Sequence, residues 1–117
     1  MNLNKAKEFC RSLPGVTEDI KWGDNLVFSV GMKMFAVMDD NAKAKAIALK
    51  VDDDRFLELT DRPGIIPAPY LARMKWVLVE DLAKLPEAEA KAMVKRSHEL
   101  VFAKLTKKLQ REIEGAA

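Results

Sequence analysis

Cysteine, histidine and tyrosine each occur once in this chain of 117 residues, and tryptophan twice. A lone Cys10 forms no internal disulfide, so the core must hold by packing alone. The single histidine, His98, has no second histidine, cysteine or paired carboxylate beside it to build a metal site or a triad. It is expected as a packed or hydrogen-bonded helix residue. The five glycines fall in turns or at the tail, and no phosphate-cradling Gly-rich loop, Cys pair or H-E-x-x-H helix is present. A catalytic constellation and a cofactor are therefore not expected. No apolar run approaches the ~20 residues that span a bilayer, which argues against membrane insertion. The opening Met-Asn-Leu-Asn-Lys carries no apolar signal-peptide core, so a cytoplasmic site is expected. Excess charge of one sign is missing as well: 20 basic residues face 18 acidic ones, a net charge of +2. So slight a balance does not announce a nucleic-acid partner, and only local clustering of lysines can argue for one.

What is present is enough for one domain, because a chain of this length buries roughly two-thirds of the surface its unfolded form exposes. The clearest pattern is Lys21 to Asp39, KWGDNLVFSVGMKMFAVMD, read as a β-hairpin around Gly31-Met32. Glycine at the first central position suits a type II′ turn and pairs Val30 with Lys33. Counting outward sets Phe28 opposite Phe35 and Leu26 opposite Val37 on a bulky face. Val27, Ser29, Met34, Ala36 and Met38 fall on the other. A preceding strand, Glu18 to Trp22, and a following one, Lys45 to Val51, extend the hairpin into an antiparallel meander. Ile47, Leu49 and Val51 share one face of the last strand and Ala46, Ala48 and Lys50 the other.

Helical spacing of Leu3, Ala6, Cys10 and Leu13 predicts a helix over residues 2–12, closed by Leu13-Pro14-Gly15. Cys10 then reads as a small core residue. Asp52-Asp53-Asp54 lacks the alternating acidic spacing and sixth-position glycine of a calcium loop. It is expected to cap a short helix ending at Thr60. Pro63-Gly64 marks a type II turn, and Pro67 and Pro69 predict an ordered loop from Ile65 to Tyr70. A strand from Met74 to Val79, apolar on both faces around Trp76, suits an interior position. Pro86 opens a helix to residue 113, with Ala90, Val94, Val101, Leu105 and Leu109 as its buried stripe. The fold class is thus α+β: an antiparallel β-sheet backed on one face by the N-terminal and C-terminal helices.

Basic residues stand out by position. Lys33 lies at the central hairpin tip, Lys43 and Lys45 flank the next turn, and Lys50 lies on the outer sheet face. Arg73 and Lys75 belong to a stretch with no acidic residue from Arg62 to Val79. Two basic tips can straddle a phosphate backbone; equally, lysines at turns keep hairpin ends soluble and unpaired.

Three segments resemble the MmcQ/YjbR-like family of small bacterial proteins: LPGVTEDIKWGDNLVFSVGMKMFAVMD at Leu13–Asp39, the PGIIPAPY and KWV pieces between Gly64 and Val77, and RSHELVFAKLTKK at Arg96–Lys108. The resemblance implies a frataxin/CyaY-like fold and a DNA-binding role through a pair of β wings. Here the wing tips map to Gly31–Lys33 and Asn41–Lys45. The chain departs from the family where Met32 follows Gly31 in place of a second glycine, and where His98 replaces a tyrosine.

The expected function is that of a non-enzymatic protein binding double-stranded DNA weakly and with little sequence preference, through Lys33, Lys43, Lys45, Lys50, Arg73 and Lys75. A second reading is an adaptor or homodimer using Met34, Ala36 and Met38, since methionines serve adaptable contacts; otherwise a monomer is expected. A third, metal handling by a frataxin-like module, ranks lowest, because Lys5, Lys7, Glu8 and Arg11 give the first helix a mostly basic surface.

Overall fold

In the computed structural model, which describes residues 1–116, the first helix is α1, Leu3–Ser12. Asn2 starts it by accepting the Lys5 N–H on its side-chain oxygen at 2.9 Å, one of the donors a helix start leaves unpaired. Leu3, Ala6 and Cys10 are its buried residues. Burial pushes the Cys10 thiol up to about 12, so it stays protonated as a packing group.

Six strands form one sheet: β1 Val16–Lys21, β2 Asn25–Val30, β3 Lys33–Asp39, β4 Ile47–Lys50, β5 Ile65–Pro67 and β6 Trp76–Val79. Their spatial order is β1-β2-β3-β4-β6-β5, antiparallel throughout. The segment expected as a loop from Ile65 supplies an edge strand. Three residues are too short to show a period, and Pro67, which cannot donate to a ladder, is tolerated at an edge. β6 is interior, as its two apolar faces imply.

The central hairpin differs from expectation in two ways. Gly31 and Met32 both have positive φ, 57° and 67°, so the turn is type I′ and not type II′. Val30 does pair with Lys33, but a bulge shifts the register beyond Ser29. Phe28 then opposes Ala36, Val27 opposes Val37, and Leu26 opposes Met38. The extra residue is Phe35, and it reverses the facing of the rest of β3. Ala36 and Met38 turn in to the helix-covered core with Phe28, while Val37 joins Met34 on the outer face. The methionine-rich outer face expected for an adaptor therefore loses Ala36 and Met38.

The bulge is held from the helix side. Ser97 donates to the Phe35 carbonyl at 2.6 Å and accepts the Lys50 N–H at 2.9 Å, so one buried hydroxyl satisfies two backbone groups. It projects from α3, Glu87–Phe102, which covers the sheet together with α1. His98 is the next residue, buried edge-on to Phe35 and stacked on Phe102, with Nε2 2.9 Å from the Pro14 carbonyl. That is the packed and hydrogen-bonded histidine expected.

The helix expected over 86–113 is two. α3 ends at Phe102, and α4, Lys107–Ala116, begins after a turn. No glycine or proline marks the break. Gln110 reaches back to donate to the carbonyls of Phe102 at 3.1 Å and Leu105 at 3.0 Å, and the Leu109 N–H donates to the Thr106 hydroxyl at 3.2 Å. The elbow sets Leu105 and Leu109 against the hairpin tip at Gly31.

The short helix α2, Phe56–Thr60, comes after a 3₁₀ turn at Asp53–Arg55. Asp52 does not cap that turn with its side chain. Its carboxylate is instead bound by both arms of Arg96, at 2.7 and 3.0 Å, which holds it below the usual carboxylate range. A bidentate guanidinium pair outcompetes a backbone amide for the same oxygens. Arg62–Glu89 and Arg11–Glu18 form similar two-armed pairs.

Candidate nucleic-acid interface

Strand direction decides which basic residues can act together. β3 begins at the Gly31-Met32 tip and ends at the loop of residues 40–46, so the two hairpin tips lie at opposite ends of the sheet. Seven residues of strand separate them, about 20 Å at the usual rise. Lys33 is exposed at the first end; Lys43 and Lys45 are exposed at the other. In the 40–46 loop the Lys43 N–H donates to the Asn41 side chain at 2.9 Å, and the Lys45 carbonyl accepts the Leu82 N–H at 3.0 Å. These bonds fix the backbone and leave both ammonium groups to solvent.

Three further candidates gather near the Lys33 end. Lys50 fails as a contact residue: only 8% of it is exposed, and its ammonium donates to the Met74 carbonyl. Burial, with Lys104 nearby, pulls its pKa down. The strand period assigns it to the outer face with Trp76, but its ammonium end lies near Lys104, just past the end of α3, and the chain around Met74 covers it. Arg73 is exposed on a 3₁₀ turn, Ala72–Met74. Lys75, half-buried in left-handed backbone at φ 63°, lies with its ammonium 5.1 Å from the Phe56 ring centre. Among the described residues, Lys33, Lys43, Lys45 and Arg73 enter no ion pair, whereas Arg11, Arg55, Arg62 and Arg96 are all committed to carboxylates.

The outer sheet face carries a feature that periodicity does not reveal, a cleft of about 520 Å³. Val37, Ala48 and Leu78 line it, with Met34 and Leu71 beside them. Trp22 and Tyr70 are also in its wall, and both are largely exposed in left-handed backbone, at φ 51° and 66°. Alternation with Ile20 places Trp22 in a strand, yet it belongs to the turn after β1. An aromatic next to Gly23-Asp24-Asn25, and another just after Pro67 and Pro69, are the signals that the sequence offers for this cleft. Asn25 and Asp39 add polar groups to the wall.

Among the described residues, no group of three or more His, Cys, Asp or Glu side chains converges as a metal site requires. Nor, among those residues, is any helix long and apolar enough to cross a membrane.

Comparison with curated proteins gives no match. The fold is similar to a crystal structure of a Deinococcus radiodurans protein carrying the DUF419 domain, with a TM-score of 0.87 and 28% identity over 97% of this chain and 88% of that one. A Pseudomonas syringae protein shares the fold at a TM-score of 0.71 and 23% identity, over 86% of this chain and 99% of its own. The YjbR family model matches residues 11–100, a span from the end of α1 through β6 and most of α3. The chain therefore belongs to the YjbR family.

Proposed function

We propose that the protein is a non-catalytic module that binds double-stranded DNA through its phosphates, weakly and with little sequence preference. The observation that carries this reading is the set of exposed, unpaired cations at the sheet ends, Lys33 with Arg73 at one and Lys43 with Lys45 at the other. Cations outside ion pairs remain available to an anionic backbone. A separation of about 20 Å corresponds to roughly six base pairs of duplex, so the two ends engage phosphates about half a helical turn apart. Lys50, buried beneath Met74, makes no contact, and Lys75 sits against Phe56 at the edge of the surface. The family resemblance to β-wing DNA-binding proteins supports the same assignment.

Four phosphate contacts give a logarithmic salt slope of about −3.6, so affinity falls roughly a hundredfold between ~50 and ~200 mM salt. Replacing Lys33, Lys43 and Lys45 together by Glu abolishes duplex binding at low salt and leaves the melting temperature nearly unchanged, because all three side chains are exposed. A wild type that binds no duplex at ~50 mM salt refutes the reading and turns attention to the outer sheet face as a protein-contact surface.

A further inference from the structure

We infer that the outer-face cleft is a nucleobase site, taking a planar, amino-bearing heteroaromatic ring stacked on Trp22 or Tyr70 with its donor edge on Asp39. Its volume, about 520 Å³, lies within the range of small-molecule sites. Ala46, Ala48 and Ala68 line it where larger side chains would fill the space.

The aromatics in its wall are placed at a cost. Trp22 is 68% exposed and Tyr70 wholly so, and each holds a left-handed backbone conformation that L side chains rarely adopt. Both conformations belong to turns, and the turns leave two large ring faces open to solvent beside one cleft, where a flat ligand can stack. Stacking on such rings is tolerant of base identity; the polar wall supplies selectivity. Asp39 makes no ion pair among the described residues, its neighbour Asp40 being the one that meets Lys7, at 3.5 Å. A carboxylate accepts two parallel hydrogen bonds, the pattern offered by the N1–H and amino group of guanine. An anion would be repelled by Asp39, and an alkyl chain would offer that carboxylate no donor.

The ring can come from a free nucleoside or from a base splayed out of a single strand, for which Lys43 and Lys45, just before Ala46, would hold phosphates. A nucleoside has no phosphate, so this site is testable independently of the duplex reading.

The test is fluorescence titration of the full chain with guanosine, with a guanine-containing single-stranded oligonucleotide, and with thymidine. Trp22 is exposed and Trp76 buried, so stacking quenches the solvent-facing emission. Guanosine should quench saturably and bind about tenfold more tightly than thymidine. Tyr70→Ala should weaken binding about tenfold, and Asp39→Asn should erase most of the preference for guanosine. Both positions are exposed, and circular dichroism checks that each variant folds. Quenching by the oligonucleotide but not by guanosine assigns the site to a strand and supports the inference. No saturable quenching by either, or quenching unchanged in both variants, overturns it.

Discussion

Adding one methyl group at the hairpin tip should test how the sheet and the C-terminal elbow hold together. Gly31 sits at φ 57°, and a Cβ built there would lie 2.6 Å from Leu105 Cδ1, 2.7 Å from its Cδ2 and 3.0 Å from Leu109 Cδ2. Leu105 is buried, so its methyls have little room to retreat. Gly31→Ala therefore carries two costs: about 1–2 kcal/mol for a left-handed L residue and about 1–3 kcal/mol for overpacking. The sum, about 2–5 kcal/mol, is a large fraction of a small domain's stability. Urea unfolding reads it as a lower midpoint at unchanged slope. Leu105→Ala separates the terms, because in its background Gly31→Ala should cost the backbone part and the looser contact with Leu109, a coupling of about 1–3 kcal/mol. Met32 provides the control. It has φ 67° but is 96% exposed, so Met32→Gly relieves strain without touching anything and should stabilise by about 0.5–1 kcal/mol. If Gly31→Ala costs under about 1 kcal/mol, or shows no coupling to Leu105, the tip is not seated on the elbow.

Ser97→Ala leaves the Phe35 carbonyl and the Lys50 amide without their buried partner, and should cost about 2–4 kcal/mol in denaturant melts. Phe35→Ala empties the fully buried bulge position and should cost about 3–5 kcal/mol by the same measurement. Lys50→Met removes a buried ammonium; duplex affinity should stay within about twofold of wild type, unlike the loss from reversing Lys43 and Lys45. Arginine partners hold Asp52, Glu89 and Glu18 below their ordinary pKa. Folded values below unfolded ones mean that the stabilisation is complete above the unfolded value of about 4 and is lost as pH falls through the folded values. Unfolding midpoints measured down the acid range should show this decline, and Arg96→Met should flatten the share belonging to Asp52.

Periodicity carries far in this chain and fails where one residue breaks it. The α1 stripe, the β4 alternation of Ile47 and Leu49, and the two-sided apolarity around Trp76 each identify the right element and the right face. The bulge at Phe35 is not legible, because period-two counting assumes an unbroken ladder and one extra residue exchanges the faces of every later position in the strand. The partner that stabilises it, Ser97, is 62 residues away in sequence. The α3–α4 elbow is hidden for a related reason: Gln110 and Thr106 satisfy the broken helix ends, and neither is a conventional breaker. For the candidate site, turn positions place Lys33, Lys43, Lys45 and Arg73 on the surface correctly. What a linear reading cannot supply is the direction of the strand ends, which separates the tips, and the cover over Lys50.

The same bulge shapes what the open face can bind. With an unbroken register, Ala36 and Met38 would share the outer face with Met34, giving it the deformable side chains suited to a range of protein partners. The extra residue sends both inward and brings Val37 outward beside Ala48 and Leu78. Val37, β-branched, and Ala48, without a rotamer, give this part of the floor little freedom to rearrange before a ligand arrives. A preformed floor favours a rigid, flat partner over an adaptable one, because less ordering is needed on binding. Trp22 and Tyr70 then stand at its wall on backbone conformations fixed by turns rather than by the sheet ladder. The helices α1 and α3 stabilise one face of the sheet and leave the cleft on the other open to solvent.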